Sequence, residues 1–241
     1  MEYSEGSGEP RLYGHRAHLR RVALAYRRAG LDAVEVDVRV SGGRLVALHG
    51  RPPTEKPSRA EKVLGLIDYV LFYGDPLLKP RSLGEWLEEL WSMGFKRVLL
   101  DLKSYVDPDM LLDVVEKSWH GTLEFTGENH RLLAEIAGRC GRARVYPTLT
   151  IIPADPQAVL KPVKAVGASL RVDLALQSEV VEALKKAGFE VMVWTVNDRS
   201  IYLKLKEMGV DSVVTDRPEI LKGNSLKWGR RAKKTVMAVY R

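Results

Sequence analysis

The sequence predicts a TIM (β/α)8 barrel in a single domain, with only a short insertion after the second strand. Three observations predict it: strand-like and helix-like segments alternate along most of the chain, eight strand-like segments occur, and 241 residues suit one barrel domain. Strands that alternate with helices of about 10 to 15 residues are typical of parallel βαβ units. A doubly wound open sheet is the structural alternative. No Gly-x-Gly-x-x-Gly motif follows the first strand, which argues against a dinucleotide-binding domain.

The strands are predicted from short apolar or alternating runs bounded by turn residues. Residues 33–38 alternate with period two, and the tight turn at 41–43 returns the chain in a hairpin-like extension that ends at His49. The eight predicted strands are 11–14, 33–38, 97–102, 121–126, 143–148, 167–172, 190–195 and 212–215.

The helices are predicted from apolar residues three and four apart. Gly30 is expected to follow the first helix as part of its C-cap. Ser82 is expected to cap the second helix, with Glu85 at the reciprocal position of a capping box. The predicted helices are 18–29, 82–93, 108–118, 128–140, 155–165, 177–187, 198–208 and one that begins at Pro218.

Residues 51–81 interrupt this alternation with a segment rich in proline and charge, followed by aromatic residues. The prediction is a long loop with a short helix at 60–66. Loops of this length in compact domains are usually functional or mobile.

The composition indicates a globular protein with a sizeable core, since 45% of the residues are hydrophobic. A single cysteine excludes an internal disulfide framework. Residues 1–10 contain no apolar run typical of a secretory signal, and no stretch is apolar enough to span a membrane. We therefore expect a cytoplasmic protein. Few asparagines and glutamines among many charged residues resemble the composition of thermophile proteins.

The net charge of +7 favours anionic ligands in general, and much of it lies near the C-terminus. We divide the chain into a barrel at 1–221 and a basic tail at 222–241. A solvated terminus is the favoured interpretation of the tail. The alternative is docking on anionic lipid or RNA, so a weak membrane-surface contact stays open, whereas no stable nucleic acid partner is expected. The tail residues concerned are Lys227, Trp228, Arg230, Arg231, Lys233 and Lys234.

Polar residues occur where several predicted strands end, which is the end of a barrel that carries active sites. Glu35 and Asp37 are two apart on one strand, so both are predicted to face the barrel interior. Two buried carboxylates are costly unless a cation neutralises them. The other polar residues predicted at this end are His15, Arg16, His49, Asp101, Lys103, Asn197 and Asp216.

These residue types make a coherent chemical set. Carboxylate oxygens suit Mg²⁺ or Ca²⁺ better than Zn²⁺. Arg16 and Lys103 can balance the charge of a phosphate, and His15 and His49 can exchange protons near neutral pH. Each motif alone has a structural alternative, such as a solvent-facing Glu-x-Asp or a plain Lys–Asp ion pair. Their coincidence at one end of a single predicted barrel favours a functional site.

Six short motifs, taken in order, resemble those of the glycerophosphodiester phosphodiesterase family. Their order and spacing agree along most of the chain, and the segment 191–218 is the most specific. The motifs are His15-Arg16-Ala17, Glu35-Val36-Asp37, His49-Gly50, Asp101-Leu102-Lys103, Trp194-Thr195-Val196-Asn197 and Thr215-Asp216-Arg217-Pro218.

The chain also departs from the family pattern. Ala17 stands where the family has glycine, Gly50 where it has aspartate, and Asp101 where it has glutamate. The Pro-Glu-Asn-Thr stretch that follows the first family motif is absent. Two alternatives therefore stay open: a catalytically inactive barrel that binds a phosphate ligand, and a phosphodiesterase for a cyclic or inositol-type diester.

The resemblance implies metal-dependent hydrolysis of a small-molecule glycerophosphodiester to glycerol phosphate and an alcohol. For related phosphodiesterases, the glycerol 2-hydroxyl is proposed to attack phosphorus, and water then opens the cyclic phosphate. The leaving alcohol would reach the loop at 51–81. The residues implied are His15 and His49 as general base and general acid, Glu35, Asp37 and Asp101 as ligands of one divalent metal ion (Mg²⁺ or Ca²⁺), and Arg16, Lys103 and Trp194 as substrate contacts, with core packing as the alternative for Trp194.

Overall fold

The structure is a computed structural model that describes residues 8–50 and 80–221. The expectations for the acidic N-terminus, for the loop with its helix at 60–66 and for the basic tail fall outside these residues. No helix in the described ranges combines the length and the apolar character needed to cross a membrane.

Ten strands lie in the described part of the chain. The bounds of the eight barrel strands agree with the predicted ones to within a few residues, because the short apolar runs are bounded by turn residues. The strands are β1 (Arg11–Gly14), β2 (Ala33–Ser41), β3 (Arg44–Ala47), β4 (Arg81–Ser82), β5 (Arg97–Leu102), β6 (Thr122–Gly127), β7 (Arg144–Leu149), β8 (Gly167–Arg171), β9 (Glu190–Trp194) and β10 (Ser212–Thr215).

The same two ranges contain nine helices, most of which follow a barrel strand and bury one apolar face against it. They are α1 (Arg20–Arg28), α2 (Leu83–Ser92), α3 (Pro108–Ser118), α4 (His130–Arg139), α5 (Pro156–Leu160), α6 (Val172–Ala175), α7 (Ser178–Lys186), α8 (Arg199–Glu207) and α9 (Pro218–Leu221).

Eight of the strands form a closed parallel barrel in the order β1, β2, β5, β6, β7, β8, β9 and β10, and β10 pairs with β1 to close it. The predicted TIM barrel is therefore confirmed. The remaining strands, β3 and β4, extend β2 as antiparallel partners. The predicted hairpin turn is also confirmed, because Gly42 and Gly43 both have positive φ, as a two-residue hairpin turn requires.

Valines and leucines on the outer side of the strands pack against the helices in two large clusters. The inner side of the barrel holds a smaller cluster that fills its middle, as expected for a barrel of eight strands. This inner cluster consists of Tyr13, Ala33, Leu99, Tyr146, Met192 and Val214.

Strand β5 shows how the interior is layered, because alternate residues share one side of a strand. Leu99 belongs to the inner cluster. Asp101, two residues later, reaches the cavity at the C-terminal end of the strands. Arg97, two residues earlier, lies 3.5 Å from the buried carboxylate of Glu124 at the opposite end. One strand thus contributes Asp101 to the site, Leu99 to the apolar middle and Arg97 to the opposite end of the barrel.

Several local predictions were wrong. Ser82 occupies the N-cap position of α2 as predicted, but its side chain makes no capping bond, so the capping box does not form. The first helix begins at Arg20 and leaves His18 in the preceding turn. The helix predicted at 155–165 ends at Leu160. Strand β4 and helix α6 were not predicted, because two and four residues are too short for a periodic signal.

Candidate active site

A cavity of about 100 Å³ opens at the C-terminal end of the barrel strands. All eight residues predicted as site residues line it, so the structure brings the complete predicted set together. Two hydroxyl side chains that the sequence did not single out, those of Thr126 and Ser169, line it as well. The predicted residues are His15, Arg16, Glu35, Asp37, His49, Asp101, Lys103 and Trp194.

Three carboxylates from two adjacent strands meet in this cavity. Glu35 and Asp37 lie on β2, and Asp101 lies on β5 directly opposite Asp37 in the ladder. One carboxylate oxygen of each residue lies within 4.8 Å of the others. Glu35 and Asp37 are each only 3% exposed, so their negative charges are largely removed from water.

The crowding of these carboxylates changes their acidity. Burial raises the pKa of Glu35 well above its ordinary value, and the charges of Asp37 and Asp101 raise it further. Burial also raises the pKa of Asp101 to about 6, although Lys103 opposes this effect. Burial alone would raise the pKa of Asp37 too, but the hydrogen bond from His49 and nearby positive charge lower it.

Lys103 supplies positive charge between two of the carboxylates. Its Nζ atom lies 2.5 Å from Asp101 Oδ2 and 3.6 Å from Asp37 Oδ1. Burial alone would lower the pKa of Lys103, but Asp101 and Asp37 raise it, so the side chain stays cationic at neutral pH. The side chain is 39% exposed, and it can therefore also reach an anion that enters the cavity.

His15 is held by a carboxylate that is separate from the acidic cluster. Its Nδ1 atom donates to Asp216 Oδ1 at 2.8 Å. Asn197 Nδ2 donates to Asp216 Oδ2 at 2.8 Å, and the backbone N–H of Asp216 donates to Asn197 Oδ1 at 2.9 Å. The carboxylate and the amide thereby fix each other. With Nδ1 protonated, the Nε2 atom of His15 is directed into the cavity, 4.0 Å from Glu35 Oε2.

His49 has a carboxylate partner within the acidic cluster. Its Nδ1 atom donates to Asp37 Oδ2 at 2.7 Å. Burial lowers the pKa of His49, while the bond to Asp37 opposes that shift. The hairpin extension of β2 positions this histidine, because the backbone N–H of Leu48 donates to the carbonyl of Asp37 at 3.1 Å.

The turn after β1 holds the acidic residues of β2 from the other side. Arg16 has a φ of 53°, a left-handed conformation that is uncommon for a residue other than glycine. In this conformation its backbone N–H donates to Glu35 Oε2 at 2.7 Å. His18 Nε2 accepts a hydrogen bond from the backbone N–H of Asp37 at 2.9 Å. Burial lowers the pKa of His18 to about 4, so the ring is neutral near pH 7.

The acidic cluster fits a hard divalent cation. The Oε1 atom of Glu35 is buried and has no hydrogen-bond partner, although a carboxylate oxygen removed from water needs one. The cluster offers oxygen ligands alone, which are the ligands that Mg²⁺ and Ca²⁺ prefer. Glu35, Asp37 and Asp101 are therefore the residues that could hold such an ion.

Sequence reasoning missed the positioning contacts of His18, Asn197 and Asp216. Asn197 and Asp216 were identified as parts of motifs at strand ends, but no pattern indicated that they contact His15. His18 was assigned to a helix because it precedes an amphipathic run. The sequence signal that could have identified His18 is its position three residues after His15, between the first strand and the first helix.

A model of the glycerophosphoryl diester phosphodiesterase family matches residues 84–220, which is more than half of the chain. The chain belongs to this family. Its membership places the chain among the phosphoric diester hydrolases, as the motifs predicted. The matched region contains Asp101, Lys103 and Trp194, while the two predicted histidines and the Glu-x-Asp motif precede it. No curated protein matches the chain.

Solved structures of similar proteins share the barrel. A phosphodiesterase from Oleispira antarctica, in complex with the product sn-glycerol-3-phosphate, is 21% identical with a TM-score of 0.73, covering 89% of this chain and 96% of that chain. A glycerophosphodiester phosphodiesterase from Parabacteroides distasonis is 17% identical with a TM-score of 0.67, covering 98% and 100%. One from Thermotoga maritima is 19% identical with a TM-score of 0.63, covering 90% and 98%. At these identities the likeness establishes the fold.

Proposed function

We propose that the protein hydrolyses glycerophosphodiesters to glycerol phosphate and an alcohol, with the help of one divalent cation and two histidines. The observation that carries this proposal is the convergence of three carboxylates, two carboxylate-held histidines and Lys103 in one cavity of a phosphodiesterase-family barrel. The product complex of the Oleispira antarctica phosphodiesterase supports a glycerol phosphate product.

His15 is the proposed general base. Its Nδ1 proton is committed to Asp216, so Nε2 carries a lone pair that can accept the proton of a glycerol hydroxyl. Asp216 stabilises the imidazolium that forms, and Asn197 keeps that carboxylate in place. The oxygen of this glycerol hydroxyl would attack the phosphorus of the same substrate molecule and displace the alcohol. The product of this step is a cyclic phosphate, which water then opens. His15 is thus assigned the first proton transfer.

His49 is the proposed general acid. In its protonated form the ring keeps the Nδ1–H bond to Asp37, and its Nε2 proton would pass to the leaving alcohol as that alcohol departs from phosphorus. Asp37 holds the ring in the orientation that this transfer needs. The two histidines therefore work from separate carboxylate partners, one outside the acidic cluster and one inside it.

Glu35, Asp37 and Asp101 would hold Mg²⁺ or Ca²⁺. When bound, such an ion polarises a phosphoryl oxygen and stabilises negative charge that develops there. Lys103 and Arg16 line the same cavity and would bind the other non-bridging oxygen. Trp194, also in the lining, would provide an apolar wall for the glycerol carbons.

The test is hydrolysis of glycerophosphodiesters with choline, ethanolamine, glycerol or inositol head groups, with and without a chelator. We expect the release of glycerol phosphate to require a divalent cation. His49→Ala removes the general acid and should lower kcat by about 100-fold or more. Glu35→Ala removes a cation ligand and should lower kcat by about 100-fold or more as well. His120→Ala is the matched control, because His120 is exposed and precedes β6 at the opposite end of the barrel.

Two results would contradict the proposal. Absence of glycerol phosphate from every diester with every divalent cation would favour a phosphate-binding barrel, which binding of glycerol phosphate alone would then reveal. Hydrolysis of only cyclic or inositol-type diesters would instead assign the same site to another substrate.

A further inference from the structure

His18 contacts Asp37 of the site, yet neither the proposed proton transfer nor the proposed cation binding uses it. Its side chain is fully buried in the turn between β1 and α1. A buried imidazole costs free energy unless its polar atoms are hydrogen-bonded. The contacts of this ring therefore indicate what it contributes.

The first barrel strand is too short to support its neighbour. β1 pairs with β2 at two positions, and its last residue, Gly14, lies opposite Val34. Glu35 and Asp37 follow on β2, beyond the end of β1. Nearly all buried backbone N–H and C=O groups are paired. The backbone groups of β2 at Glu35 and Asp37 that face the side of β1 therefore need hydrogen-bond partners other than β1.

The turn after Gly14 supplies these partners. The backbone N–H of Ala17 donates to the carbonyl of Glu35 at 2.9 Å. The backbone N–H of Asp37 donates to His18 Nε2, also at 2.9 Å. One backbone bond and one imidazole bond thus continue the ladder past the end of β1.

The direction of the imidazole bond matters for the carboxylate of Asp37. Since Nε2 of His18 accepts from the backbone N–H, the ring proton is on Nδ1. Nε2 lies 3.5 Å from Asp37 Oδ2 but has no proton to donate to it. Asp37 Oδ2 therefore remains available to Nδ1 of His49. The ring centroids of His18 and His49 are 6.1 Å apart.

We propose that His18 is a positioning residue of the diester-cleaving site. It replaces the missing strand partner of Asp37, and through Asp37 it keeps His49 oriented for proton transfer. This inference rests on the proposed function for its effect on rate, while the hydrogen bonds themselves can be observed independently of turnover.

The experiment compares two variants of the full-length protein that keep much of the ring's volume. His18→Leu removes the acceptor, whereas His18→Gln places an amide oxygen close to the position of Nε2. We expect His18→Leu to lower kcat by about 10- to 100-fold with little change in KM, as loss of an orienting contact does. His18→Gln should recover most of that loss.

Nuclear magnetic resonance supplies a second measurement that does not need turnover. In His18→Leu we expect the amide proton of Asp37 to exchange faster, and the Nδ1–H proton of His49 to lose the signature of a fixed hydrogen bond to Asp37. His18→Gln should keep both signals. Tyr146→Phe is the control for stability, because it deletes buried hydrogen bonds to Arg144 and Glu190 at the other end of the barrel.

Each outcome decides the proposal. Unchanged kcat in His18→Leu, or equal losses in His18→Leu, His18→Gln and Tyr146→Phe, would overturn it. If the wild-type protein cleaves no diester, the proposed function fails, and the magnetic resonance signals alone decide whether His18 orients Asp37 and His49. Signals that stay as in the wild type in His18→Leu would then overturn the proposal.

Discussion

Each of the two site histidines bonds through Nδ1 to a different aspartate, and the two aspartates have different surroundings. Asp216 is fixed by Asn197, whereas Asp37 also faces Lys103 and the other carboxylates. A carboxylate outside the acidic cluster can hold the tautomer of an imidazole without also binding a cation. At the scale of single residues, the carboxylate that orients His15 is therefore separate from the acidic cluster.

The variant Asp216→Asn tests this separation. Without the carboxylate, neither the tautomer nor the imidazolium of His15 is stabilised, so we expect kcat to fall by roughly 10²–10⁴-fold with KM nearly unchanged. Steady-state kinetics on the preferred diester measure it. Asp173→Asn is the matched control, since Asp173 is an exposed aspartate paired with Arg171. Equal activity of both variants would show that Asp216 does not orient the base.

The raised pKa values of Glu35 and Asp101 predict how cation binding depends on pH. Burial raises the pKa of Glu35 and sets that of Asp101 at about 6, and a carboxyl group must lose its proton before it ligates a metal. We expect the affinity for Mg²⁺ or Ca²⁺ to rise as the pH increases from 5 to 7. Calorimetric titration measures it, and Asp101→Asn should flatten the pH dependence. An affinity independent of pH would contradict the prediction.

Whereas cation binding should strengthen as the pH rises, the contribution of Asp101 to the stability of the metal-free fold should weaken. The pKa of Asp101 is about 6 in the folded protein and about 3.9 in an unfolded chain, so the folded state holds more protons between these values. Its contribution to stability is complete below pH 4 and is lost as the pH rises through 6. Urea unfolding in chelator, compared between wild type and Asp101→Asn, isolates this contribution.

At the scale of elements, close approach between neighbouring strands depends on small residues. Gly167 begins β8 beside Glu190 at the start of β9, and a Cβ atom at this glycine would lie 2.1 Å from the carbonyl oxygen of Glu190. A backbone atom cannot move aside as a flexible side chain can. The barrel therefore requires glycine at this pairing. Gly138 in α4, in contrast, has open space around the corresponding position.

These two glycines give a matched pair of substitutions. Gly167→Ala should lower the free energy of unfolding by about 1–3 kcal/mol, because the added methyl group forces the strands apart. Gly138→Ala should raise it by about 0.5–1 kcal/mol, because alanine favours the helix. Urea denaturation followed by circular dichroism measures both. If both substitutions changed the free energy of unfolding in the same direction, the close strand contact at Gly167 would not limit the stability of the barrel.

At the scale of the whole molecule, the two ends of the barrel carry different charge clusters. The end at which the strands begin contains the fully buried Glu124, which accepts from Tyr13 at 2.5 Å and lies 3.5 Å from Arg97 and from Arg144. The end at which the strands finish contains the acidic cluster and the histidines. The apolar middle separates the two clusters. In such barrels the C-terminal end of the strands serves function and the N-terminal end serves stability.

Glu124→Gln tests this division of roles. Loss of the buried charge removes the carboxylate beside Arg97 and one of the two carboxylates beside Arg144, so we expect the free energy of unfolding to fall by about 1–3 kcal/mol. This range allows for the partial exposure of both arginines. The kcat of the variant should equal that of the wild type. Glu182→Gln, in an exposed pair with Lys186, should leave the free energy of unfolding unchanged. A large loss of kcat in Glu124→Gln would contradict the prediction.

Much of the barrel could be predicted from local patterns. β5 and α3 were predicted with their observed bounds, since a run such as Val98 to Leu100 and a proline at the helix start are signals within a few residues. The inward direction of Glu35 and Asp37 followed from the period of two along a strand. Residues at strand ends converge whenever parallel strands close into a barrel, so the predicted cavity set followed as well.

The contacts that orient the site could not be predicted in this way. His15 meets Asp216 across 201 positions of the chain, and this distance is set by the closure of β10 on β1. The role of His18 depends on how far β1 runs beside β2, which no pattern near His18 records. The sequence alone determined which residues reach the C-terminal end of the barrel strands, because side-chain direction is a local property. Tertiary structure alone decided their hydrogen-bond partners and acidities, because these depend on distance and burial between segments remote along the chain.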